Sequence, residues 1–241
     1  MKKAYLECLK KLRTFRKSLV EDIDKKRGKM YFSWMKDKTE KIMNEKDDNY
    51  IYKNIVKYSL KDFKIDDFSY KHASKKLKQI IDNNYILKKN YRIFNNPNIS
   101  YDEAMLITKK ILLKRGNVVW IDFGFNIGNE FGGMHPAIIL KNFDKELFVL
   151  PVSSKKPIEY SIIEKNFEAE NISEEECKKQ KEQVTEIIQL DSIIGFKEMT
   201  RWANITRMKK VSILRLNFSG TIGRIDGKYI SIISKKISQE F

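Results

Sequence analysis

Before Gly116 the apolar residues recur every three or four positions; after it they cluster in short β-branched or aromatic blocks. That change of period constrains the fold more than any other feature, because one regular element cannot satisfy both spacings. In the first half, Tyr5, Leu9, Leu12, Phe15, Leu19 and Ile23 form the stripe of an amphipathic helix, which Gly28 is expected to end. A second helix is expected over residues 31–45, with Trp34, Met35, Ile42 and Met43 as its apolar members. The pattern weakens between Asp47 and Asn95, although "YKHASKKLKQII" reads as a short helix. "NNPNIS" then breaks the chain with turn formers, and Ser100 with Glu103 spells a capping box. The helix so started runs through "AMLITKKILLK" and is expected to stop at Gly116, with basic residues in its last turn.

Beyond Gly116, "NVVWIDF", "PAIILK", "ELFVLPVS", "EIIQL" and "VSILRL" read as short strands bounded by turn residues. "EKNFEAENISEEECKKQKEQ" is a polar surface excursion or short helix between them, and a closing helix is expected after Asp226. The fold class is therefore α+β: a basic helical module over residues 1–115, then a small coiled β-barrel domain over 116–241 with a C-terminal helix.

Charge follows the same division. Residues 1–115 hold 30 Lys and Arg against 15 Asp and Glu, whereas residues 116–241 hold 18 against 17. A basic balance confined to one half points to an anionic partner, with Lys-rich solvated helices as the plain alternative. No stretch reaches the roughly 18 apolar residues that would span a bilayer, so no membrane role is expected. Cys8 and Cys177 stand alone among charges, which suits a reducing cytoplasm and gives no redox or zinc motif. With only His72 and His135 available, neither a metal nor another cofactor is expected.

The segment "FGFNIGNEFGGMHPAIIL" places four of the ten glycines, Gly124, Gly128, Gly132 and Gly133, just before His135 and an apolar run. It is not a phosphate loop of the common kinds. The Gly-Lys-Ser/Thr ending is missing, and a strand-like run follows where those loops lead into a helix. Read singly, the loop is a wide hairpin connection, His135 a structural histidine and "PVSSKK" a surface turn. Asp122 and Glu130 form no recognisable metal pair.

In order along the chain, these pieces resemble the MazF/PemK family of toxin ribonucleases. "RGNVVWIDF" is similar to the family's opening RG-x-V/I-x-W/F-x-D/N, and "GNEFGGMHP" to its G-S-E-x-G-G-x-R-P loop. "PAIILKN" stands for P-x-x-x-I-Q-N, "PVSSKK" for a strand ending in a hydroxyl, and "EIIQLDSIIGF" for V-x-L-x-x-I-R-x-I. The resemblance spans about residues 114–241 and is strongest through residue 156. It implies an SH3-like barrel, a homodimer, an antitoxin protein as partner and single-stranded RNA as substrate. The implied reaction is metal-independent: the ribose 2′-hydroxyl attacks its own phosphate, leaving a 2′,3′-cyclic phosphate and a 5′-hydroxyl. The family's catalytic arginine falls on His135 and its catalytic hydroxyl on Ser153. Asn129 and Glu130 at the loop tip, with Ser154, Lys155 and Asp191, are the expected RNA contacts.

His135 is a departure with chemical meaning. Arginine stays protonated and stabilises phosphate charge, whereas histidine, with a free pKa near 6.5, can also move a proton. Transesterification needs a base at the 2′-oxygen and an acid at the 5′-oxygen. Ile194 stands where the later motif has its arginine. Active ribonuclease is the leading expectation; the alternative is an inactive relative that binds RNA or a toxin or antitoxin partner. A gyrase poison of the same barrel is disfavoured because the chain ends "SQEF" rather than Trp-Gly-Ile. The basic half is expected to bind RNA electrostatically, or else to hold an acidic antitoxin or a second copy through Leu9, Leu12 and Leu19.

Overall fold

A computed structural model describes the chain apart from residues 1, 22–24, 45–46, 62, 125–131, 170 and 241, and without certain side chains in the first helices. It divides into two compact units, one of residues 1–47 with 124–132, the other of 48–123 with 133–241.

In the first unit, α1 (Lys2–Glu21) and α2 (Lys25–Met43) touch each other. Leu9 and Leu12 of the expected stripe are half-buried, whereas the side chains of Tyr5, Phe15 and Leu19 and the whole of Ile23 lie outside the described residues. Gly28 does not end the first helix: it sits buried inside α2. Tyr31 packs edge-on against Phe32 at 5.6 Å, and the Lys38 ammonium lies 4.9 Å over the Trp34 ring.

The second unit begins with α3 (Asp48–Asn54), which widens into π-helical turns over Ile55–Leu60. Next come β1 (Ile65–Asp66), α4 (Asp67–Lys71) and α5 (Lys75–Asn84), whose N-cap Ser74 accepts the Leu77 amide. A hairpin of β2 (Tyr85–Lys88) and β3 (Tyr91–Phe94) completes a small sheet in the order β1-β3-β2. Helix α6 (Tyr101–Ile107) starts with the reciprocal Ser100–Glu103 capping box and continues as π-helical turns over Thr108–Leu112.

The turn at Gly116, with φ +88, then leads into β4 (Asn117–Asp122). The buried Asn117 side chain ties the two elements together, donating to the carbonyls of Ile111 and Leu112, both at 2.8 Å. Residues 48–115 thus share one compact unit with the strands that follow.

Strands β5 (Met134–Asn142) and β6 (Glu146–Ser153) extend β4 into an antiparallel sheet. Two helices follow, α7 (Ile158–Glu168) and α8 (Glu174–Gln183), where a single excursion was expected. β7 (Ile187–Leu190), β8 (Arg201–Asn204), β9 (Lys209–Ser212), β10 (Gly223–Arg224) and the closing helix α9 (Gly227–Glu240) complete the unit. "VSILRL" leaves the strand conformation at Ile213 for a 3-10 turn.

The sheet is curled because strands share edges. One edge of β6 pairs with β9 over Glu146–Val149 and with β8 over Val152–Ser153. The free edge of β4 pairs with β10 at its start and bridges Leu216 at Ile121. Both faces of β4, β5 and β6 are consequently covered. Val118, Ile138, Leu150 and Val152 join Ile188, Leu190, Ile225, Tyr229 and Ile233 in one core, while Val119, Ile121, Ile139 and Val149 are buried on the opposite face. Burial on both faces explains why these strands read as unbroken apolar runs rather than alternating ones. At the end of the path, Lys236 of α9 caps the rim beside β7, its ammonium donating to the carbonyls of Val184, Thr185 and Ile187 at 3.1, 2.8 and 3.0 Å.

Asn117→Ala removes the donor shared by two carbonyls at a buried site and is expected to lower the unfolding free energy by about 2–3 kcal/mol. Urea unfolding of the variant checks this; an unchanged midpoint would mean that the helix end is satisfied in another way.

Candidate functional site

One end of the curled sheet gathers the chemistry. There β4 ends at Asp122, β5 begins at Met134, β6 ends at Ser153 and β7 ends just before Asp191. Pairing sets Ile121 opposite His135 and Asp122 opposite Met134, and the Phe123 amide donates to the Gly133 carbonyl at 2.9 Å. Between β5 and β6, Ala137 faces Pro151. His135 and Ser153 each lie two residues beyond that last pair, toward the same end of the two strands. Both side chains are half-buried, at the margin where the apolar face ends.

Ser153 is held by its neighbours. Its Oγ accepts the Lys155 amide at 3.0 Å, and Trp202 lies opposite it on β8. A hydroxyl that accepts in this way keeps its own proton available for donation. Ser154 and Lys155 are exposed in the turn after β6.

Asp191 has a structural attachment. Its carboxylate accepts the Tyr229 hydroxyl of α9 at 2.6 Å and Gln189 Nε2 at 3.3 Å. The Tyr229 hydrogen bond holds its carboxyl below the usual range. Asn129 and Glu130 lie outside the described residues.

Sequence reasoning missed the cations beside this face. Phe123 and His135 project from the same face as diagonal neighbours, and the Lys209 ammonium of β9 lies 5.0 Å from the Phe123 ring centre. Arg215 donates Nη1 to the Asp122 carbonyl at 3.1 Å. Nothing local in "RMKKVSILRL" distinguishes Lys209 or Arg215, because their placement follows from the pairing of β9 with β6 and the turn after it. The arrangement combines an imidazole, a hydroxyl and flanking positive charge, which suits an anionic group passing through a more charged transition state. Among the described residues, no three of His, Cys, Asp and Glu are grouped as a metal site would need. No described helix is long and apolar enough to cross a membrane.

Residues 114–241 match the model of a family described as the PemK-like, MazF-like toxin of type II toxin–antitoxin systems. Among solved structures, the chain is similar to MazF from Deinococcus radiodurans in crystal form I, at 14% identity over 52% of this chain and 93% of that one, with a TM-score of 0.34. It is also similar to the MazE–MazF structure from the same organism in form II, at 13% identity over 53% and 94%, with a TM-score of 0.33. No protein of curated function matches it.

The Asp191–Tyr229 bond makes stability depend on pH with a definite sign. The folded carboxyl titrates below its unfolded counterpart, so its contribution is present above the ordinary carboxylate range and is lost as pH falls through the folded value. Tyr229→Phe is expected to cost stability at pH 7, with the cost shrinking under acid conditions. Urea midpoints measured at neutral and acid pH test this; an equal cost at both would assign the effect to packing alone.

Proposed function

Because the chain belongs to the PemK-like, MazF-like toxin family of type II toxin–antitoxin systems, we propose that it is an endoribonuclease that cuts single-stranded RNA by 2′-hydroxyl transesterification. The observation that carries the reading is the family match over residues 114–241; the position of His135 and Ser153 near the same end of β5 and β6 supports it. Residues 116–241 supply the chemistry, and residues 1–115 are an addition to it.

In this reading the 2′-oxygen attacks the adjacent phosphorus and the bond to the 5′-oxygen breaks. His135 takes the 2′-proton while water protonates the leaving 5′-oxygen, or, when protonated, supplies that proton while water takes the one from the 2′-hydroxyl; such acid–base work contributes about 10²–10⁴-fold. Ser153, with its oxygen held by the Lys155 amide, donates to a non-bridging phosphate oxygen. Lys209 adds positive charge beside the same face. Ser154 and Lys155, exposed next to Ser153, and Asp191 border the RNA path, with Asn129 and Glu130 reading bases from the loop. A second copy of the chain and an antitoxin protein are the partners that accompany such a toxin, and the excess charge of residues 1–115 attracts phosphates whatever their sequence.

A second reading has its own support: His135 and Ile194 stand where the resemblance places two arginines, and Ile194 is exposed. An inactive relative of this kind would hold RNA without cutting it.

Incubation of the purified protein with a long RNA in EDTA, with product ends mapped, separates the two. Cleavage is expected to persist and to leave 2′,3′-cyclic phosphate ends; 3′-hydroxyl products or a need for added magnesium would overturn the mechanism. His135→Ala is expected to abolish turnover without changing the melting temperature. Ser153→Ala is expected to slow it about tenfold, the worth of one charge-assisted hydrogen bond.

A further inference from the structure

At the β4 start, remote from His135, three cations and a single carboxylate line one cavity. Arg224 of β10 donates Nη1 to Asp66 Oδ2 at 2.9 Å, and Lys114 donates Nζ to Ser69 Oγ at 3.1 Å. Asp66 is also the N-cap of α4, its other oxygen accepting the Ser69 amide at 2.6 Å. Lys64 stands beside them, its ammonium 4.7 Å over the Tyr91 ring.

Burial, and then the positive charge of Arg224, push the Lys114 ammonium below its usual range, with Asp66 opposing them. Burial disfavours the charged form of Asp66, but Ser69, Arg224 and Lys114 outweigh it and keep the carboxyl below its usual range. The ionised cluster of Lys64, Lys114, Arg224 and Asp66 therefore carries a surplus of two positive charges.

This cluster borders open space. A cavity of about 140 Å³ lined by all four charged residues adjoins one of about 410 Å³, and Phe63, Lys64, Gly195 and Ile222 line both. The larger part adds Tyr58 and the hydroxyls of Ser219 and Thr221. Cations crowded against one another in a partly buried cleft favour an anion that gives each a hydrogen-bonding partner. A phosphate monoester, carrying about one and a half to two negative charges near neutral pH, matches the surplus, and the single charge of a phosphodiester in an RNA strand offsets half of it. The roomier, aromatic-lined part beside it suits a base, since bases stack on aromatic rings whatever their identity.

We infer that this cleft is a second anion site, which binds the phosphate of a nucleotide, with Lys64, Lys114 and Arg224 as its cations and the base toward Tyr58 and Phe63. The nucleotide is either free or part of an RNA strand. The site uses none of the residues assigned to cleavage, so it stands or falls separately from that activity.

The test uses the full-length chain carrying His135→Ala, with and without Lys64→Ala or Lys114→Met. The probes are adenosine monophosphate and a short 2′-O-methyl oligoribonucleotide, which cannot be cleaved. Affinity is read by calorimetry and by the ligand-induced rise in melting temperature. Either substitution is expected to weaken binding about tenfold, the equivalent of one charge-assisted hydrogen bond. A response to the mononucleotide identifies a free nucleotide as sufficient, whereas a response to the oligonucleotide alone identifies the RNA backbone. Lys64 is exposed, so Lys64→Ala keeps the test independent of folding if Lys114→Met destabilises the chain. Affinities unchanged by Lys64→Ala, or no binding of either probe, would overturn the inference.

Discussion

Burial of β4, β5 and β6 on both faces is the constraint from which the rest follows. A strand with one wet face keeps its register because a slip of one residue would put apolar side chains into water. Val118 and Val119, or Ile138 and Ile139, are buried on opposite faces, so that safeguard is weak here. Register must instead be set at the strand ends and at irregularities. The shift between Ile139 and Lys141 in the β5–β6 pairing is one such point, since a bulge gives the two strands a unique alignment. The half-buried polar ends are the others: Asp122, His135 and Ser153 all sit where the apolar runs stop. The placement that makes these residues candidates for chemistry also helps to align the strands.

The preceding helices are joined to this sheet by polar contacts at its other end. Asn117 closes the last turn after α6, Asn142 Nδ2 donates to the Leu113 carbonyl at 3.4 Å, and Ser59 Oγ donates to the Phe218 carbonyl at 3.0 Å. Arg224 and Asp66 join β10 to the small sheet. These contacts fix direction as well as distance, which apolar packing does not. The sheet consequently has a chemically distinct end on either side, one with an imidazole and a hydroxyl and one with clustered cations.

Much of this was legible before the structure. The capping box at Ser100, the strands after Gly116 and the closing helix carry local signals that packing did not override. Two kinds of feature were not. The β2–β3 hairpin turns through Lys89 at φ 53, a left-handed conformation usually signalled by glycine or asparagine. Gly28 misled in the opposite sense, because glycine is disfavoured inside a helix by propensity and so reads as a stop, yet it lies within α2. As for the site, the order of motifs drew attention to His135 and Ser153, but not to Lys209, Arg215 or Trp202. Those three reach it through strand pairings between residues distant in sequence, and local periodicity carries no information about such partners.

Lys236 has a consequence for how the molecule behaves in company. Outward carbonyls at the rim of a sheet are a template on which another chain can add a strand. Here a single ammonium occupies three of them at once, in a setting whose burial already pulls its proton affinity down. The protection of this rim therefore rests on one side chain, and a residue there without a donor would leave the Val184, Thr185 and Ile187 carbonyls without their shared partner.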